Sequence, residues 1–167
     1  GCNDGTLVSC STNFVTVHSL HHERYAHRQT MTDVVVQHLI TETKLLVRTR
    51  DYVKKIAVYK DRLAVQLPKS ILIYQQTPES SVYDLSYTLI KRVQYDGKTL
   101  ECNLLVVTKM HLILCQERRL QLFDFRGVKG REWTLDATIR YIKIIGGAPG
   151  REGLLVALKS GAVYKIF

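Results

Sequence analysis

The chain is 167 residues long, 46% hydrophobic and 23% charged, with 24 Lys and Arg against 15 Asp and Glu and a formal net charge of +9. This is the composition of a globular chain long enough for one domain with a substantial core, and it excludes the disordered and collagen-like classes. No apolar run approaches the roughly 20 residues of a membrane-spanning helix, and the opening GCNDGTLVSC has neither the basic start nor the long apolar block of a signal peptide.

Taken in order, the chain opens on an Asn3-Asp4-Gly5 turn leading into Thr6-Leu7-Val8, which reads as the return strand of a hairpin whose partner is absent. Phe14 to Leu20 alternates in strand fashion, and Arg24 to Gln29 offers a second short run with Tyr25 as its only large apolar residue. Asp33 to Ile40 and Lys44 to Arg48 follow, separated by Thr41-Glu42-Thr43. The length of the first of these would also suit a buried helical turn, but its β-branched content favours strand. Lys55 to Gln75, KIAVYKDRLAVQLPKSILIYQ, then gives three short apolar runs broken at Lys60-Asp61 and Pro68-Lys69, the pattern of an antiparallel meander. Thr77 to Ser81 is a surface loop by composition. Tyr83 to Val93 is expected to add an outer fourth strand, with Leu85, Tyr87 and Leu89 alternating with polar residues, before a turn at Tyr95-Asp96-Gly97-Lys98. Leu104 to Asp124 repeats the meander, and Arg131 to Leu135 takes the place of its outer strand, with Trp133 expected to pack between sheets. A third copy runs from Ile139 to Phe167, where the chain closes on a strand with no fourth strand after it. Both ends therefore suggest a piece cut from a longer protein.

Leu63, Leu112 and Leu154 occupy matching positions at spacings of about 40 to 50 residues, the range of propeller blades. Each copy ends its third run on an apolar, any, apolar, aromatic pattern, in one case followed by Asp as Leu120-Gln121-Leu122-Phe123-Asp124. This resembles the WD40 repeat, with Phe-Asp in place of its Trp-Asp dipeptide. The Gly-His element of that repeat is missing from every copy, which marks the repeats as degenerate. The expected fold is all-β: a partial WD40-like propeller of about four blades, with blade pieces near 1–50, 51–95, 99–136 and 137–167, forming an open arc that lacks the rest of the ring.

No motif carries chemistry. Gly146 to Gly153, GGAPGREG, resembles a phosphate cradle only superficially: it joins strand to strand, Pro149 removes a donor, and Arg-Glu stands where Lys-Ser or Lys-Thr would follow. His21-His22-Glu23, with His18 and His27 nearby, reads as a polar inter-strand loop and not a metal site, because adjacent strand residues point to opposite faces and His21 and His22 could both ligate only on an irregular backbone. There is no GxSxG elbow and no HExxH motif, so no enzyme, cofactor or metal is expected. Cys2, Cys10, Cys102 and Cys115 show no CxxC spacing and read as buried thiols of a reducing compartment, with a disulfide between facing strands as the alternative. The basic residues fall mainly at strand ends and turns. Lys54-Lys55 and Arg118-Arg119 are the candidate interaction surface, and solvated rims are the plainer reading of them. The charge permits an acidic protein, an anionic membrane or nucleic acid, although no RNP1-like sequence supports RNA binding.

Longer strings narrow the choice. TDVVVQHLITETK (32–44), VKKIAVYKDRLAVQLPKSILIY (53–74), ECNLLVV with HLILCQERRLQ (101–121) and IRYIKIIGGAPGREGLLVALKSG (139–161) together resemble the tandem-propeller WD-repeat subunits of intraflagellar transport complex A, in order and in register. The resemblance implies a fragment of the second propeller of such a subunit. It also implies a non-enzymatic scaffold of the cytoplasm, cilium and ciliary base that supports retrograde transport, cilium assembly and delivery of membrane cargo. Its partners would be other subunits of the complex and ciliary cargo adaptors. The rival reading is a basic β-module that binds anionic lipid or nucleic acid directly.

Overall fold

The computed structural model describes residues 16–77, 85–95 and 101–167, and within them every regular element is a β-strand. The first sheet is β1 (His18–His21), β2 (Arg24–Arg28), β3 (Asp33–His38) and β4 (Lys44–Arg48). The second is β5 (Lys55–Tyr59), β6 (Arg62–Gln66), β7 (Ser70–Gln76) and β8 (Tyr87–Gln94). The third is β9 (Leu104–Val107), β10 (His111–Gln116), β11 (Arg119–Asp124) and β12 (Lys129–Thr134). The fourth has three strands, β13 (Ile139–Gly146), β14 (Gly153–Leu158) and β15 (Val163–Ile166). Each sheet is an antiparallel meander of consecutive strands. This is the four-blade propeller architecture expected from the repeats, and among the described residues no closed ring of blades is formed. Asp33 to His38 is strand and not helical turn. The Asn-Asp-Gly turn and the strand expected at Thr6, like the start of the run at Phe14 and the turn at Asp96, lie outside the described residues.

Blade stacking explains why the apolar runs are nearly continuous. A sheet covered on one face alternates in sequence, whereas one covered on both faces needs apolar side chains at every position. In β5 to β7, Ile56, Val58, Leu63, Val65 and Leu72 pack toward the first blade, against Ala26, Val34 and Val36. The intervening Ala57, Ala64, Ile71 and Ile73 pack toward the third, against Leu105, Val107, Leu112 and Leu114. The third blade divides in the same way: Ile113, Cys115 and Leu120 turn to Ile142, Leu154 and Val156 of the fourth. Trp133 joins that last cluster and so packs between blades. Leu63 and Leu112 are fully buried, and burial of one such side chain stabilises by about 1.5–3 kcal/mol.

The outer strand β8 departs from the simple alternation. Leu85 is buried and Tyr87 packs against the core between blades one and two, but Leu89 is 48% and Ile90 41% exposed. A register shift between Ile73 and Tyr74 pairs Tyr74 with Leu89 and Ile73 with Lys91. Ile90 is the extra residue of that bulge, and past it the faces are exchanged: Tyr87 packs toward the first blade, whereas Val93 packs toward the third.

Candidate functional site

Polar side chains in and beside the hairpin turns at the two rims link one blade to the next. On one rim lie the turns between the first two strands of each blade. His22 and Lys60 occupy the left-handed region there, with φ of 51° and 49°, a conformation that costs a non-glycine residue about 1–2 kcal/mol. Contacts across the seams compensate. Between blades one and two, the Lys60 N–H donates to His21 Nδ1 at 3.2 Å, Arg24 Nη1 donates to the Lys60 carbonyl at 2.7 Å, and the Val58 N–H donates to Ser19 Oγ at 2.9 Å. Between blades two and three, Asp61 Oδ2 accepts from Lys109 Nζ at 2.6 Å and from Arg62 Nη1 at 2.9 Å, while Arg62 Nε donates to the Lys109 carbonyl at 3.1 Å. Between blades three and four, the Lys109 N–H donates to Glu152 Oε1 at 3.1 Å. Every pair of adjacent blades is thus tied at the same hairpin position.

Burial pushes the Asp61 carboxyl up, but the Lys109 hydrogen bond and the charges of Arg62 and Lys109 outweigh it and hold the group below the usual carboxylate range. Burial, followed by the charges of His22, Lys60 and Arg24, lowers His21, with Glu23 opposing. His22 lies in the turn between β1 and β2, the polar inter-strand loop expected there, and its left-handed backbone lets the two rings meet edge to face at 4.3 Å, while His21 also meets the Tyr59 ring at 4.7 Å. Among the described residues no three of His, Cys, Asp and Glu converge as a metal-holding group.

The glycine-rich segment is a loop between β13 and β14, and its anion position is filled from within. Glu152 Oε2 accepts the Gly150 N–H at 3.0 Å, while its other oxygen takes the Lys109 amide. Gly147 has φ of 133°, and a Cβ there would stand 2.5 Å from the Arg151 carbonyl oxygen, so the path requires glycine.

The opposite rim carries the four residues singled out from sequence. Lys54 and Lys55 border a depression of about 260 Å³, and Arg118 and Arg119 border one of about 740 Å³; Glu101 and Cys102 belong to both. The two basic pairs are therefore on one rim, but carboxylates interrupt them. Lys54 Nζ lies 3.8 Å from Glu101 Oε1, and Glu117 stands beside Arg118. Arg118 Nε donates to the Leu135 carbonyl at 2.9 Å, and Arg119 Nη2 reaches Gln116 Oε1 at 3.4 Å. Cys102 and Cys115 are free thiols, both pushed up to about 11 by burial, and the Cys102 S–H donates to Gln66 Oε1.

Sequence reading missed the seam residues Asp61, Lys109 and Glu152. The signal was present in the repeats: each falls in the first turn of its copy, so alignment of turns as well as strands would have placed them together.

A family model described as the IFT122 second beta-propeller matches residues 18–167. Over all 167 residues the chain is 55% identical to the intraflagellar transport protein 122 homolog of Xenopus tropicalis and 56% identical to that of Mus musculus, and it spans 14% of the length of each. Among solved structures it is similar to BBS1N in complex with ARL6DN, at TM-score 0.58 and 15% identity, covering 90% of this chain and 49% of that one. It is also similar to the computationally designed Ika4 protein, at TM-score 0.54 and 7% identity, covering 94% of this chain and 93% of that one. At such identities these two likenesses concern the fold alone.

Proposed function

We propose, because this chain belongs to the family of the IFT122 second β-propeller, that it is a non-enzymatic scaffold and protein-interaction module within a subunit of intraflagellar transport complex A. In this reading it supports retrograde transport, cilium assembly and delivery of membrane cargo, in the cytoplasm, at the ciliary base and in the cilium. Its partners are other subunits of the complex and ciliary cargo adaptors. The observation that carries the reading is the whole-chain identity of 53–56% to intraflagellar transport protein 122 homologues. The physical picture fits it: cross-tied blades present their rim turns as fixed contact surfaces.

Lys54, Lys55, Arg118 and Arg119 are proposed as one such contact surface on the rim. The test is charge reversal of all four in the full-length protein, read out by co-purification of the other complex subunits and by cargo entry into cilia in cells lacking the native protein. Loss of a subunit or of cargo entry is expected. Unchanged assembly and delivery would remove these four residues from the reading, and unchanged function after deletion of the whole propeller would remove the reading itself. Salt separates the rival class. Binding to anionic lipid or nucleic acid through these cations should weaken steeply from low to physiological salt, whereas docking on apolar and aromatic anchors should not.

A further inference from the structure

The inner strands of all four blades face a common channel of about 940 Å³, within the usual size range of ligand sites. Its wall is built from the consecutive runs 18–22, 57–60, 105–107 and 141–146. A strand seen face-on would contribute every second residue; unbroken runs mean that strand edges line the channel. Each of β1, β5, β9 and β13 is the terminal strand of its sheet, so one side of its backbone is left without a sheet partner. The side chains are of one sign. Lys60 and Lys143 bring full positive charges, His18 and His22 bring imidazole donors, Tyr59 and Tyr141 add aromatic surface, and no described carboxylate lines the wall. The carboxylates at the nearby rim are engaged elsewhere, Asp61 with Lys109 and Arg62, Glu152 with two backbone amides.

We infer that this channel is a binding site for an extended acidic peptide segment. On β5 the Val58 and Lys60 amides are already taken by Ser19 Oγ and His21 Nδ1, so the edges of β1, β9 and β13 are the ones that offer backbone donors and acceptors to a chain in β conformation, the way peptide strands add to exposed sheet edges. The two lysines and the imidazoles select Asp and Glu side chains on that segment, and the aromatic and aliphatic wall accepts the residues between them. A bilayer surface is flat and does not match this concave geometry. The inference stands apart from the scaffold reading, since it concerns the channel and not the rim.

The test uses the full-length protein and a fluorescein-labelled ten-residue peptide of alternating Glu and Val, followed by anisotropy. Saturable binding is expected, weakening steeply from about 50 to 200 mM salt. It should fall about tenfold or more in a K60E/K143E variant and less in K60Q/K143Q, as expected when close charge pairs are removed. Both lysines are exposed, so the Gln variant keeps the site testable should charge reversal disturb the fold. K54E/K55E on the opposite rim should leave binding unchanged. Absence of saturable binding, equal affinity for the same peptide with Lys in place of Glu, or an equal loss in the rim variant overturns the assignment. Displacement of the peptide by phosphatidylserine vesicles overturns it too, in favour of a lipid site.

Discussion

Replacing Asp61 by Asn removes the carboxylate that joins blades two and three at the rim of the first turns while keeping its size. Two charged donors exchange an anionic acceptor for at most a neutral amide oxygen: Lys109 Nζ at 2.6 Å and Arg62 Nη1 at 2.9 Å. Their burial decides the cost, because the side chains of Arg62, Asp61 and Lys109 are 10%, 26% and 34% exposed. A dry hydrogen bond to a charged group contributes about 1.5–3 kcal/mol, and an exposed ion pair about 0–1 kcal/mol. Lys109 stands near the exposed limit and Arg62 near the dry one, and Arg62 retains the Lys109 carbonyl as a partner. The sum is about 2 kcal/mol, most of it from leaving the Arg62 guanidinium in a dry place without a counter-charge. Native-state hydrogen exchange of the full-length protein reads this locally. The Lys109 amide, which donates across the next seam to Glu152, should exchange about 30-fold faster in D61N, the equivalent of 2 kcal/mol. A double-mutant cycle with K109M should return a coupling of about 1 kcal/mol, well above the roughly 0.3–0.5 kcal/mol scatter of additive pairs. A change below twofold in D61N, or strict additivity in the cycle, would refute the claim that this carboxylate ties the blades.

Gly147→Ala should open the loop between β13 and β14, costing about 1–3 kcal/mol for the strained backbone because its Cβ would meet the Arg151 oxygen at 2.5 Å. Gly146→Ala, at φ of 101° but with nothing within 4 Å of the added Cβ, should cost less in the same thermal melt; equal costs would show that the clash does not matter. Cys102 and Cys115, with thiols pushed up to about 11, should react with iodoacetamide at pH 7.5 about 100-fold more slowly in the folded protein than in urea, since only the thiolate attacks. Equal rates would contradict their burial.

The fold was legible because each blade is covered on both faces, so its strands read as short apolar runs closed by turn residues. Lys44–Arg48 shows this in its simplest form, matching the expected strand end for end. The bulge opposite Ile73 was not legible: nothing in YTLIKRV marks where the register slips, because the slip depends on how β8 must bend to stay on a twisted sheet. The basic rim was legible as a list of residues but not as a surface. Lys54-Lys55 and Arg118-Arg119 lie far apart in sequence, and only the fold sets Glu101 into the border of both depressions. The His21-His22 segment was legible as a polar inter-strand turn, but the edge-to-face meeting of the rings was not, because it depends on His22 leaving the extended backbone at φ of 51°.

The seams differ in what holds them, and that difference predicts an order of opening on acidification. The seam between blades one and two uses His21 as an acceptor: Nδ1 can take the Lys60 N–H only while it carries no proton. The groups facing it are His22, Lys60 and Arg24, whose charges lower it after burial has done so, and Glu23, which opposes them. A base whose proton affinity is depressed by folding contributes stability in full above its unfolded value of about 6.5, and that contribution is lost as pH falls through the folded value. Asp61 is also depressed by folding, but its unfolded value is about 3.9, so its contribution persists until the solution is more acidic still. Between about pH 7.5 and 5 the Lys60 amide should therefore lose protection, after correction for the intrinsic rate, while the Lys109 amide keeps its own. His21→Gln supplies an uncharged acceptor of similar reach and should abolish the pH dependence at Lys60 without changing that at Lys109. If Lys60 and Lys109 lose protection together in the wild-type protein, the seams open as one unit and His21 is not what holds the first.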